Sequence, residues 1–126
     1  MAERAFTITY PDSNTHSVVK YAATGLTQAS LDTTPGIGSV QFADRSVQVI
    51  GTFGAAGNLR IEGSIDGGTT WAVLTDPQGN ALDFTAAKIE AITELVELVR
   101  ARVTAGDGTT SLSVYFIMRR ATPPRS

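Results

Sequence analysis

The chain has 126 residues, 42% of them hydrophobic and 17% charged, with 12 Gly, one His, no Cys and a net charge of −2 at pH 7. This length supports one ordinary core rather than two, and the slightly acidic balance carries no field that would gather a polyanion, which excludes general nucleic-acid binding. The absence of Cys removes disulfides, thiolate metal sites and Cys nucleophiles, and a single His leaves little for triads or metals.

The N-terminus MAERAFTITY has neither the basic start nor the apolar run of a signal peptide, and no segment approaches the roughly 20 apolar residues of a bilayer span. The expectation is a soluble protein made in the cytoplasm, without a membrane partner.

In chain order, Ala5 to Tyr10 alternates apolar and polar residues and stops at Pro11-Asp12-Ser13-Asn14, a first strand closed by a turn. His16 to Thr24 alternates again without a clearly polar face, as a strand covered on both sides would. From Gly25 to Asp44 the period is lost, and LDTTPGIGSVQFAD reads as a long loop, either a crossover between sheets or a contact for a partner. Arg45 to Phe53 is a strand with Val47, Val49, Gly51 and Phe53 on one face.

Asn58 to Phe84 then reads as a meander of three runs. Leu59, Ile61 and Gly63 alternate with Arg60, Glu62 and Ser64. Asp66-Gly67-Gly68 supplies residues that tolerate positive φ, Thr70 to Leu74 returns as a partner strand, and Asp76-Pro77-Gln78-Gly79-Asn80 makes a second turn. Thr85 resembles a helix cap, Phe84 would staple onto Ile89, and the good helix formers around Lys88 predict a short helix from Ala86 to about Ala91. A strand from about Leu95 to Thr104, a turn at Ala105-Gly106-Asp107-Gly108 and a final strand from Thr109 to Arg119 complete the reading. On that last strand Leu112, Val114, Phe116 and Met118 share one face, while Ser113, Tyr115 and Ile117 make the other only partly polar. About eight strands, Gly-rich turns and one short helix predict an all-β, antiparallel two-sheet sandwich of jelly-roll type over residues 1–126, with a flexible basic tail at about 120–126.

Candidate chemistry is sparse. Asp66, Asp76 and Asp107 sit in Gly-containing turns, but their spacing is not that of a calcium loop, and turn hydrogen bonding explains them better. Glu90, Glu94 and Glu97 would share a helix face without anything to split their pKa values. His16 reads as a surface residue. Trp71, the one tryptophan, suits a core or rim position better than a sugar-stacking platform. No catalytic, cofactor or metal residue is assigned, and the chain is expected not to be an enzyme.

The segments VQVIGTFG, IEGSIDGGTTWAVLTDPQGNALDFTA and VRARVTAGDGTTSLSVYFIMRR, with MAERAFTITYP at the start, resemble structural proteins of tailed-phage virions, and in particular head decoration or cement proteins. ITELVELVRARV is more acidic and more helix-prone than that pattern. The resemblance implies a virion protein on the capsid exterior that binds the major capsid protein as a homo-oligomer, with a trimer favoured, and uses no cofactor. Its partner contacts would come from the apolar second face of the final strand at Tyr115 and Ile117, and from Arg119, Arg120 and Arg125 reaching acidic coat surface. The N-terminal strand and the Gly25 to Asp44 loop are further grips. A competing resemblance covers only Ile61 to Leu74, where the strand, SxDGxxW turn and returning strand are similar to discoidin-like carbohydrate-binding modules. That implies glycan recognition in a phage tail or host-recognition protein.

Overall fold

A computed structural model describes residues 3–12, 17–29 and 31–120. It contains ten strands and, among the described residues, no helix: β1 (Thr7–Thr9), β2 (Val18–Thr27), β3 (Ile37–Gly38), β4 (Phe42–Thr52), β5 (Asn58–Ser64), β6 (Ala72–Val73), β7 (Asp83–Phe84), β8 (Lys88–Ala91), β9 (Leu98–Ala105) and β10 (Ser111–Arg120). They form two antiparallel sheets. One has the order β1-β2-β10-β4-β8 and the other β3-β9-β5-β6, with β7 also on β5. From β2 onward the chain passes repeatedly from sheet to sheet.

The apolar faces of both sheets meet in one core. Leu26, Val47, Val49, Leu112, Val114, Phe116 and Met118 come from the five-stranded sheet, and Leu59, Ile61, Val99, Ala101 and Val103 from its partner. Leu74, Leu82, Phe84, Ile92 and Val96 fill the remaining space from the short strands and connections. Gly63 alternates inward with Leu59 and Ile61, and a Cβ there would lie 2.7 Å from Leu74 Cδ2 and 3.0 Å from both Val96 methyls. The missing side chain lets these two residues pack over β5.

The structure corrects the sequence reading at three points. The predicted helix from Ala86 to Ala91 is replaced by β8, whose Lys88, Ile89, Glu90 and Ala91 pair with Val49, Gln48, Val47 and Ser46 of β4. Helix propensity differs by only tenths of a kcal/mol per residue, and a helix of six residues is marginal in isolation. Pairing with β4 gives the same backbone groups partners and extends a sheet, so the ladder wins. The staple is absent because Phe84 is buried in the core while Ile89 is 62% exposed.

Second, ten strands replace eight because β8 takes the place of the helix and the predicted loop from Gly25 to Asp44 contains β3. β2 runs on to Thr27 and β3 lies on β9, so the segment is the crossover between sheets. Its small polar residues bond to β9: the Thr34 N–H donates to the Ala101 carbonyl (2.9 Å), the Ala101 N–H to Thr34 Oγ1 (3.0 Å), and the Thr33 hydroxyl also to the Ala101 carbonyl (3.1 Å). Third, the meander is not a simple one. β6 and β7 both pair with β5, at Glu62–Gly63 and Leu59–Arg60, with the Asp76 turn projecting between them.

The N-terminal arm joins both layers. Glu3 bridges Thr33, the Arg4 N–H donates to the Thr33 carbonyl (2.7 Å), Arg4 Nε bonds the buried Asp32 carboxylate (3.0 Å), and β1 then adds to β2. Phe6, between these points, packs edge-on against Tyr21 and Phe116.

Turn aspartates act as local staples. Asp66 accepts from the N–H groups of Thr69 and Thr70 and the hydroxyl of Ser64, and Asp76 from the N–H groups of Gln78 and Asn80. Asp107 accepts from the Ala55 N–H (2.8 Å) and from the Thr109 N–H and hydroxyl, tying two adjacent turns together. The Thr70 N–H bond above all holds the Asp66 carboxyl at a pKa of about 2, and the Ala55 N–H bond does the same for Asp107.

An unfolded Asp titrates near about 3.9, so the charged forms favour the folded state above that value and the benefit drains away as pH falls from about 4 to about 2. Asp107→Ala should therefore lower the melting temperature clearly at pH 7 and close most of its gap to wild type by pH 2; an equal loss at both pH values would refute this role. In the core, Phe116→Ala should cost about 3–5 kcal/mol in denaturant unfolding. Ile117→Thr, the next residue but on the outer side, should cost no more than about 1 kcal/mol. Equal costs at the two positions would contradict the assigned faces.

Candidate partner-binding face

Alternation along β10 sends Ser113, Tyr115 and Ile117 away from the core, and register decides what lies beside them. Tyr115 stands opposite Ala22 of β2 and Gln48 of β4, and Gln48 in turn opposite Ile89 of β8. Ile117 stands opposite Lys20 and Ser46, and Ser113 opposite Ile50. These rows form a shallow groove of about 460 Å³ lined by Lys20, Ser46, Gln48, Ile50, Ile89, Tyr115 and Ile117 over the backbone of β4 and β10. Ile89 is 62% and Ile117 45% exposed. Lys20 Nζ lies 5.3 Å from the Tyr115 ring centroid, a cation–π contact that keeps the ammonium at the groove wall.

Tyr115 and Ile117 are thus brought together on one surface. Ile50 and Ile89 belong to it as well, and local pattern does not assign them: Ile50 lies off the apolar phase of β4, and Ile89 sits among helix formers. The signal available was an isoleucine at the off-phase position of an alternating strand.

The arginines are placed differently. Arg119 and Arg120 are the last residues of β10, inside the ladder. Arg119 Nε bonds Asp44 Oδ2 at 2.8 Å across the sheet, and the Arg120 guanidinium lies over the Phe42 ring at 5.5 Å. Arg125 and His16 lie outside the described residues.

The other sheet turns a very different face outward. Glu62, only 4% exposed, receives Arg100 at 2.9 Å and Arg102 at 3.2 Å, and Arg60 pairs with Asp83 at 2.8 Å. The hydrogen bond to Asp83 raises the Arg60 pKa above its ordinary value. Trp71 stacks on the Arg100 guanidinium at 4.1 Å and donates its indole N–H to the Gly68 carbonyl at 2.9 Å. Its ring and its donor are both engaged within the chain. Glu90, Glu94 and Glu97 have separate partners: Lys88 at 3.2 Å, the Thr75 N–H at 2.9 Å and the Gly67 N–H at 2.7 Å. Among the described residues no group of three or more His, Asp or Glu is arranged to hold a metal ion.

No family model matches the chain, and no curated protein sequence matches it. Solved structures do. The SPBc2 prophage-derived protein YomS aligns with a TM-score of 0.54 at 14% identity, covering 80% of this chain and 93% of that one. Peruvianin-I, a cysteine peptidase from Thevetia peruviana latex, aligns at 0.48 and 15% identity over 94% of this chain and 64% of its own. A recombinant oxalate oxidase in complex with glycolate aligns at 0.46 and 16% over 94% and 53%. At these identities the likeness to the prophage-derived protein is one of fold, and it extends over nearly all of that protein.

Proposed function

We propose that this chain is a non-enzymatic structural protein of a tailed-phage virion, which decorates the outside of the head and cements neighbouring major capsid subunits as a homo-oligomer. The observation that carries this reading is the groove of Tyr115, Ile117, Ile50 and Ile89 on the sheet that holds β10, an apolar surface broad enough to bury against protein, while the opposite sheet face is covered by ion pairs. The sequence resemblance to decoration proteins points the same way, as does the fold shared with a prophage-derived protein.

The strand order supports a jelly roll: β2-β10-β4-β8 faces β3-β9-β5-β7, with the chain crossing between sheets at every step from β2 to β10 except through β5, β6 and β7. Such a body needs neither disulfide nor metal to stay closed. It leaves its outer faces free for lateral contacts. The competing reading, a carbohydrate-binding module, loses support from Trp71, whose ring is taken up by Arg100.

Undecorated heads supply the test. The purified protein should bind them saturably in sedimentation assays and raise their disruption temperature, and Ile89→Asp should cut occupancy severely while leaving its own melting temperature nearly unchanged. Removing residues 121–126 should weaken binding more at low than at high salt, because the tail arginine acts through screened charge. An intact protein that does not bind heads, or an Ile89→Asp variant that coats them fully, overturns the proposal.

A further inference from the structure

Three connections meet at the end of the sandwich where β10 finishes: 39–41, 65–71 and 92–97. Glu97 ties them. Its N–H donates to the Ser64 carbonyl (3.0 Å), its carbonyl accepts from the Ser39 N–H (3.0 Å), and its carboxylate accepts from the Gly67 N–H (2.7 Å). The Ser39 hydroxyl adds a bond to the Val96 carbonyl at 2.6 Å. Within two residues of this knot stand Val40, Ile65 and Leu95, which are 65, 74 and 64% exposed. Three hydrogen-bonded loops at this end thus each carry one exposed branched aliphatic, together the crown, and backbone already tied in place costs little to order on binding.

The crown is rimmed by carboxylates. Asp66 and Glu97 are exposed, and Glu94 is half-buried beside Leu95. That rim disfavours an anionic lipid surface. It suits an apolar hollow with a cation at its wall, and the molecule carries one: the groove on the five-stranded sheet, whose only charged lining residue is Lys20.

We infer that the crown of one copy, Val40, Ile65 and Leu95, seats in the Tyr115–Ile117 groove of a second copy, with Lys20 facing the crown carboxylates. The inference rests on the homo-oligomer reading above and names the contact that makes it. End and face lie on different sides of one molecule, so the contact is head-to-face: each copy offers its crown to one neighbour and its groove to another. Such a contact closes into a ring when the rotation between copies allows it, three copies at 120°, and otherwise runs on as a chain.

A mixing experiment separates this from face-to-face pairing. Analytical ultracentrifugation at low salt should show the full chain associating, and raised salt should weaken it. Ile89→Asp in the groove and the double variant Ile65→Asp with Leu95→Asp in the crown should each self-associate about thirtyfold more weakly, the effect expected of hot-spot positions. Both keep buried residues untouched, and unchanged melting temperatures will show that they fold. An equimolar mixture should regain a 1:1 heterodimer, since the crown of the groove variant meets the intact groove of the crown variant. The inference is overturned if the mixture stays monomeric, if the crown variant assembles like wild type, or if wild type is a monomer. Head binding is scored separately on the wild-type chain: a wild-type monomer that coats heads refutes this contact and spares head binding, whereas a wild-type chain that assembles but ignores heads does the reverse.

Discussion

β10 has to lie between β2 and β4. Its residues pair on one side with positions roughly a hundred residues earlier and on the other with positions roughly seventy earlier. Its inner side chains Leu112, Val114, Phe116 and Met118 form the middle of the core, and its outer ones, Tyr115 and Ile117, the floor of the groove. Core and groove are therefore two sides of one strand. Such non-local pairing repays its loop-closure cost best when both neighbours are in place, which couples the ordering of β2, β10 and β4.

The long alternating strands could be read from the sequence because each satisfies a local rule. Val47 and Val49 in β4, Leu59 and Ile61 in β5, and Leu112, Val114, Phe116 and Met118 in β10 are buried on the faces that alternation assigns, whereas Gly51 is exposed and Glu62 and Ser64 are buried on the opposite phase of β5. The groove was half legible for the same reason: Tyr115 and Ile117 break the polar phase of β10. What escaped was decided by partners far along the chain. Ile37 and Gly38 form β3 only because Val99 and Leu98 lie opposite, and the Thr33 and Thr34 hydroxyls look like loop residues until β9 gives them carbonyls. Lys88 to Ala91 follow β4 against their own helix propensity. Arg119, expected as part of a free basic end, finds Asp44 across the sheet, a match that depends on a register no local pattern encodes.

The two outer surfaces differ in kind, one apolar and one laced with ion pairs. On the sheet built around β5 and β9, Glu62 bridges two arginines and Asp83 holds a third, so the cations there already have partners and a further contact would have to break ion pairs to use them. On the five-stranded sheet, isoleucines and a tyrosine face solvent over neutral Ser46 and Gln48. Burial of that face gains apolar contact without stripping paired charges of water. The edges reinforce the division, because β6, β7 and β8 are short, and the β5 edge is split between two of them. Strand-to-strand pairing with a neighbour finds little length to grip.

The two ends of the chain differ in how they would bear a pull. β1 has three residues and a single neighbour, and the arm before it is held by a few bonds to Thr33 and Asp32, so tension at the N-terminus opens contacts one after another like a zip. Tension along β10 from its Arg120 end meets β2 and β4 together, loading both ladders in shear across the length of the strand. The last strand is therefore a mechanically far stronger anchor point than the first.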